Sequence, residues 1–396
     1  MTKTRSSRRR LPGPARRKAK RKKSAGARRQ SEAYLAGWRA AYPLGLSYGR
    51  RVGACEAVAG GAAAKMTEAR VWPVRLLFVV SGQGDPYAAI ERGLLASLKP
   101  LVAEVIAVSP FDNVVQTAMN AKPDLVLVFN GLNYVHGDTV QAIRDSGIRT
   151  AVWFTDDPYY ADLSGDIALR YDVAFTQEIS CVEFYRNLGC PEVHYLPLGV
   201  AESIYRPVRA AAGFHTDICF LGSGYRNRIA LFDELAPYVA GKKTLIAGRW
   251  WERLQRYDML REAIRGDEDW LSPADTCAYY NGAKIVINYH RAYDDDEINA
   301  NRRRLPALSP NPRTFEIAAC GAFQIVDARE DLARFYVPGQ EIETFSSAEE
   351  LAAKLDYYLA NEEARCRIAL NGLARTFREH TYRSRLQALL TLAFGP

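Results

Sequence analysis

Histidine is scarce, with five in 396 residues, and the seven cysteines are scattered. Cys55, Cys181, Cys190, Cys219, Cys277, Cys320 and Cys366 never fall within four positions of one another. No Cys/His cluster has zinc-site spacing, so no bound metal is expected. An odd count among apolar neighbours argues against a disulfide framework and reads as reduced core thiols. No apolar run approaches the about 18 residues that a membrane span needs, so no transmembrane segment is expected. Acid is missing from the start of the chain. Residues 1–30 hold 14 of the 53 Lys/Arg, and the first acid is Glu32. The remaining 366 residues carry 39 basic and 45 acidic side chains, so the formal +8 divides into a strongly basic tail and a body of net −6. That division excludes nucleic-acid binding by the body and leaves it open for the tail, where polyanion contact through residues 1–30 is a reading that phosphate and carboxylate arrays satisfy alike. No apolar stretch follows the basic start, so it is not read as a secretory signal, and a cytoplasmic location is expected. Leu11 is the only large apolar residue in this tail, too little for an amphipathic presequence.

What is present has a regular organisation. The length predicts two domains at about 150 residues each. Residues 1–70 read as a largely disordered basic tail and linker. Within them Tyr34, Trp38 and Tyr42, then Gly45, Gly49 and Gly53, recur every four residues, which would align them on one helical face. A docking helix and a poorly ordered linker over 31–65 both fit, the composition favouring the linker. From Val71 strands and helices alternate. Apolar runs at Val74–Val80, Val105–Val108, Leu125–Phe129, Thr150–Phe154 and Val173–Thr176 read as buried parallel strands. The alternation restarts with Asp217–Leu221, Thr244–Ala247, Ile285–Asn288, Phe323–Val326 and Ile342–Phe345, with helices near 226–237, 312–320, 347–360 and 362–378. The fold expected is α/β: two Rossmann-like doubly wound domains, 71–205 and 206–378, facing a cleft, with 379–396 a helix returning to the first.

Ligand loops in such folds lie at the carboxyl ends of the strands. Gly82 and Gly84 follow the first strand, where a glycine loop either approaches a ligand or simply turns. Asp85-Pro86 reads as the start of the next helix, with Asp85 as its cap. Trp153-Phe154-Thr155-Asp156-Asp157-Pro158 ends the fourth strand. Asp156 is the candidate base or hydroxyl acceptor, while Asp157 before proline fits a helix cap. Gly222-Ser223-Gly224 leads into Tyr225-Arg226-Asn227-Arg228, a glycine turn and cationic helix start that would suit a diphosphate or be a plain turn with solvated arginines. In Ser309-Pro310-Asn311-Pro312-Arg313-Thr314-Phe315-Glu316, Asn311 caps a helix that Gly321 ends. Arg313 and Glu316 then lie one turn apart: the helix N-terminus and Arg313 favour phosphate, and Glu316 can accept both hydroxyls of a ribose. An ordinary surface Arg–Glu pair is the alternative. The charged stretch Arg291–Leu305 reads as a solvated loop, with a mobile lid as the rival. His136, His194 and His215 have no partner visible in sequence, and His194 reads as structural.

The Arg313–Glu316 helix with its small-residue run to Gly321 resembles the nucleotide-binding helix of GT-B glycosyltransferases of the group-1 type. More narrowly the chain resembles the CgeB family of spore maturation proteins. That likeness is carried by Trp153–Pro158, Tyr195–Gly199, Cys219–Ser223, Lys284–His290, Arg313–Phe323 and His380-Thr381-Tyr382 with Arg385, over about residues 74–392. It implies a nucleotide-sugar donor held by the second domain, with Glu316 on the ribose and Gly222, Ser223, Arg226 and Arg313 near the diphosphate. Asn288 and His290 would stand at the cleft end of their strand, His290 joining Asp156 as a catalytic candidate. It also implies no cofactor beyond the nucleotide-sugar substrate, and no metal. One departure stands out: many group-1 transferases carry a second Glu eight residues before the first, where this chain has Leu308. The function this implies is sugar transfer from a nucleotide-sugar to an unknown glycan, protein or small-molecule acceptor, in spore or cell-surface maturation. The alternative is a non-catalytic protein of the same fold, held at a spore or other surface by its polybasic tail.

Overall fold

The computed structural model describes residues 14–64, 70–265 and 271–395, with side chains from Arg29 onward except 62–64. The chain divides into two compact units, Met1–Gly53 and Ala54–Pro396. Helix α1 runs Pro14–Ala64. The segment read as a poorly ordered linker is therefore helical: its alanines, arginines and glutamates favour helix despite its glycines and the internal Pro43. Tyr34, Trp38 and Tyr42 are exposed, the last two rings stacked 4.9 Å apart. The tail's expected disorder over residues 1–13 lies outside the described residues.

The second unit holds two parallel sheets. The first comprises β1 (Trp72–Val79), β2 (Val102–Val108), β3 (Leu125–Phe129), β4 (Thr150–Phe154), β5 (Val173–Thr176) and β6 (Val193–Tyr195), in the order β2-β1-β3-β4-β5-β6. Helices α2 (Tyr87–Leu98), α3 (Val114–Ala121), α4 (Gly137–Asp145), α5 (Ala161–Ala168) and α6 (Ser180–Leu188) connect them. The second comprises β7 (Thr216–Leu221), β8 (Thr244–Ala247), β9 (Ile264–Arg265), β10 (Ala283–Asn288), β11 (Gln324–Asp327) and β12 (Glu343–Phe345), in the order β12-β11-β10-β7-β8-β9. Its helices are α7 (Arg226–Val239), α8 (Tyr257–Leu260), α9 (Pro273–Gly282), α10 (Pro312–Ala319), α11 (Ala348–Ala360) and α12 (Glu362–Glu379). Strands such as β3 and β4 are buried along their whole length, which is why they read as continuous apolar runs. The three-residue β6 and two-residue β9 are too short to leave such a run.

The chain crosses back between the lobes at its end. Gly199-Val200 lies against His380-Thr381, with Val200 N–H donating to His380 O at 3.0 Å and Tyr382 N–H to Val200 O at 2.8 Å. A Cβ on Gly199 would come within 2.4 Å of His380 O, so only glycine permits the approach. Helix α13 (Tyr382–Phe394) then buries Tyr382, Leu386, Leu389 and Leu390 against Leu94, Leu98 and Trp72 of the first lobe.

None of the seven cysteines is in a disulfide, and six are buried. At the start of α2 the structure corrects one expectation: Pro86, not Asp85, stands at the cap position, and no side chain caps the helix.

Candidate active site

In each sheet the strand order reverses once, between β1 and β3 and between β10 and β7. Loops leaving neighbouring strands in opposite directions open a crevice there. A cleft of about 350 Å³ takes its walls from both lobes, with Tyr87, Asp156 and Tyr159 on one side and Gly222, Ser223, Arg228, Arg313 and Glu316 on the other.

The second-lobe wall is built from backbone outward. Trp251 Nε1 donates to Gly222 O at 3.0 Å, and Gly222 N–H donates to Ala247 O at 2.8 Å. A Cβ on Gly248 would fall 2.3 Å from Gly222 O, so the two loops touch through bare backbone. A Cβ on Gly222 would meet the guanidinium groups of Arg228 and Arg313 at 2.9 and 3.3 Å. Two cations and a bare backbone turn thus converge at one spot. Arg228 is buried, donating to Ser223 O at 3.0 Å and to Tyr289 O at 2.9 Å. Burial, with Arg313 adding to it, brings its pKa down to about 9. Opposite stands the start of α10, where Asn311 Oδ1 accepts from Thr314 N–H at 3.0 Å and Pro312 takes the first helical position. The Glu316 carboxylate, one turn in, makes no hydrogen bond among the described residues. Burial pushes its carboxyl up to about 7, with Arg313 pulling the other way. Its charge also reaches the phenols of Tyr205, Tyr280 and Tyr382 and helps raise them.

Two residues assigned to this wall lie behind it. Asn288 is wholly buried and bonds to Thr314 Oγ1 at 3.0 Å and to Asn311 at 3.2 Å. His290 is buried as well. Its Nδ1 lies 2.5 Å from Asp327 Oδ1, and its Nε2 accepts from Asn311 N–H at 2.8 Å. That pattern assigns the Nδ1–H tautomer, and burial brings the ring's pKa down to about 4. A neutral imidazole with both nitrogens engaged has no proton site to offer the cleft. The expectation of a catalytic His290 is corrected: Asn288 and His290 position the start of α10. Arg226 is a further correction, since its exposed side chain turns to the Asp294 carbonyl at 3.1 Å and Arg228 faces the cleft instead. Gly82 and Gly84 do not line the cleft, although the residues they lead into, Asp85, Pro86 and Tyr87, do.

On the first-lobe wall, Asp156 Oδ2 accepts from Tyr87 Oη at 2.7 Å and from Asn130 Nδ2 at 2.8 Å. Burial raises its pKa, opposed by those two hydrogen bonds and by Arg291. Neither Tyr87 nor Asn130 is visible as a site residue in sequence; the only hint is that Asn130-Gly131 directly follows β3. Asp157 is no helix cap. It is buried and accepts from Thr176 Oγ1, Tyr185 Oη and Ser164 Oγ at 2.7, 2.7 and 3.0 Å, while α5 begins four residues later. His194 pairs with Glu192 at 2.6 Å and stacks on Phe175.

The charged stretch after β10 departs from both readings of it. Ala300 N–H donates to Tyr159 O at 2.8 Å, Asp162 N–H to Ala300 O at 2.9 Å, and Arg302 pairs with Asp162 at 2.9 Å. Asp295 and Asn301 are buried. The segment ties the lobes together, and its arginines 302–304 supply the solvated face. A second tie follows: Glu178, two residues after β5, accepts from Leu308 N–H and Ser309 N–H, each at 3.1 Å. Leu308 is thus held by its backbone to a first-lobe carboxylate. Among the described residues no group of three or more His, Cys, Asp or Glu is placed to hold a metal ion, and no helix is long and apolar enough to cross a membrane.

Residues 228–391 match a protein family described as glycosyl transferase-like. The chain is 28% identical over 310 residues to spore protein CgeB of Bacillus subtilis (strain 168), covering 78% of this chain and 95% of that one. Among solved structures, an alpha-glucosyltransferase in complex with UDP-glucose and DNA containing an abasic site superposes with a TM-score of 0.57 at 13% identity, covering 81% of this chain and 99% of the other. Anabaena HepE in complex with UDP and glucose gives 0.56 at 11% identity, covering 80% and 98%. Sucrose-phosphate synthase from Thermosynechococcus elongatus gives 0.53 at 12% identity, covering 80% and 97%. The chain thus shares the two-lobed GT-B fold of these structures, is similar to spore protein CgeB, and matches a glycosyl transferase-like family over residues 228–391.

Proposed function

We propose that the protein transfers a hexose from a nucleoside-diphosphate donor to an acceptor hydroxyl in the cleft between its lobes. One observation carries the reading. At the β7/β10 reversal, the Gly222–Ser223 backbone, Arg228, Arg313 and the N-terminus of α10 converge on one point, with the unbonded carboxylate of Glu316 one turn away. A helix dipole and two guanidinium groups suit a diphosphate, and Glu316 suits the ribose hydroxyls. As the sugar–phosphate bond breaks, charge grows on the leaving diphosphate, and these fixed cations stabilise it where it forms. Asp156, with Oδ2 held by Tyr87 and Asn130, keeps its other oxygen for the acceptor hydroxyl, and burial makes it a stronger base than a solvated aspartate.

Solved neighbours hold UDP or UDP-glucose, so uridine nucleotides are the first donors to test. The likeness to a spore protein supports a place in spore or surface maturation. Calorimetry on the full chain with UDP-, GDP-, ADP- and TDP-glucose tests the reading. Binding of one of them, weakened at least about tenfold by Glu316→Ala, is the expected result. Absence of binding by all four would sink it. Leu308, in place of a second glutamate, favours a second reading in which the cleft binds a donor and turns nothing over. Release of free sugar from a bound donor separates the two.

A further inference from the structure

Three residues beyond the end of β10, Arg291 lines the cleft. It is only 9% exposed, yet its Nε and Nη2 are buried with no hydrogen-bond partner. Among the described residues no carboxylate lies within ion-pair distance of it. Its guanidinium instead sits 4.9 Å from the ring of Tyr159, 5.5 Å from that of Tyr160 and 4.8 Å from that of Tyr225. Such contacts hold a cation in place and leave its N–H donors unused. A buried charge with donors unmade is costly to maintain, so a side chain kept this way is poised for an anion from outside.

The position says which part of a ligand that anion belongs to. The diphosphate cations Arg228 and Arg313 meet at Gly222. Arg291 lies between the Tyr159 and Tyr160 rings of the first lobe and the Tyr225 ring of the second, which Arg228 also faces, and it is near enough to Asp156 to act on its charge. It therefore stands between the diphosphate cradle and the proposed base, where a donor sugar and an acceptor would meet. A single neutral hydroxyl could not serve both the unpartnered Nε and Nη2 donors, whereas a carboxylate matches that planar fork with its two oxygens.

We propose that Arg291 is the recognition group for an acidic sugar, taking the carboxylate of a uronic acid carried by the donor or by the acceptor. This rests on the donor reading above. The test is calorimetry on the full chain with UDP, UDP-glucose and UDP-glucuronate, and, with UDP saturating, glucose against glucuronate. In one arm the acidic sugar binds at least about tenfold more tightly than the neutral one, as expected for a desolvated bidentate pair. The first arm points to the donor and the second to the acceptor. Arg291→Gln removes that preference and changes UDP binding less than about threefold, and Arg291→Lys keeps part of it. Equal binding of acidic and neutral sugars in both arms would overturn the proposal and leave the donor reading intact. So would an Arg291→Gln loss as large for UDP as for UDP-glucuronate, since Arg291 would then be a diphosphate ligand. Failure of UDP, GDP, ADP and TDP alike to bind overturns both.

Discussion

His290 and Arg291 are neighbours in sequence and opposites in chemistry. Both are buried, but His290 has each ring nitrogen engaged, to Asp327 and to Asn311, whereas Arg291 keeps two buried nitrogens without a partner. The contrast extends to the layers they belong to. Behind the start of α10, Asn288, His290, Asn311 and Asp327 satisfy one another. On the cleft side, Arg313, Glu316 and Arg291 are cationic or carboxylate groups with little protein to bond. A saturated layer fixes geometry and an unsaturated one waits for a ligand, so polarity and burial alone do not mark a site; unspent hydrogen-bonding capacity does.

The comparison can be broken at several points. On the cleft side, Asp156→Asn keeps the size of the side chain and its acceptor for Tyr87 but removes the base. We expect sugar transfer to fall about 10²- to 10⁴-fold with donor affinity nearly unchanged, measured by steady-state turnover and calorimetry. On the saturated side, His290→Ala should cost about 3 kcal/mol of stability, because it leaves the Asn311 N–H and the Asp327 carboxylate without a partner. Urea unfolding reads this out. The native state keeps His290 neutral down to about pH 4, while the unfolded chain protonates it near its ordinary value. Stability therefore falls as pH drops from about 6.5 towards 4, and the variant loses that part of the slope.

A subtler probe is the pH dependence of donor binding. Burial pushes the Glu316 carboxyl up to about 7, and the ribose contact proposed for it needs the carboxylate form. Affinity for a UDP-sugar, which has no group of its own titrating near neutrality, should weaken up to about tenfold per unit below pH 7 and level off above it. Glu316→Gln should flatten the curve. The smallest effect is expected at the tie between the lobes, where Glu178→Gln should cost about 1–2 kcal/mol by weakening the bonds to Leu308 and Ser309.

Sequence carried the fold further than the site. Strands β3, β4 and β5 match the apolar runs residue for residue, because a strand buried on both faces writes its full length into the letters. The N-cap of α10 at Asn311 was equally legible, since capping is local. The functional assignments failed where a side chain had to choose a direction. Arg226 and Arg228 lie in one motif, and only the turn of α7 decides that Arg228 faces the cleft. Asp157 before Pro158 has the letters of a cap, yet three hydroxyls from β5, α5 and α6 claim it. Arg291 at the edge of a charged run reads as solvated, because two of its three covering rings, Tyr159 and Tyr160, come from the other lobe and the third, Tyr225, is distant in sequence. Long-range partners of this kind leave no periodic trace.

The most direct test of the central claim, that the α10 N-terminus and the Gly222 turn form a donor site, is a crystal structure of the full chain with a bound nucleotide-sugar. We expect the diphosphate within hydrogen-bond distance of Arg313, Arg228 and the α10 N-terminus, with both ribose hydroxyls on Glu316. A nucleotide bound elsewhere, or one in the cleft with its ribose away from Glu316, would contradict it.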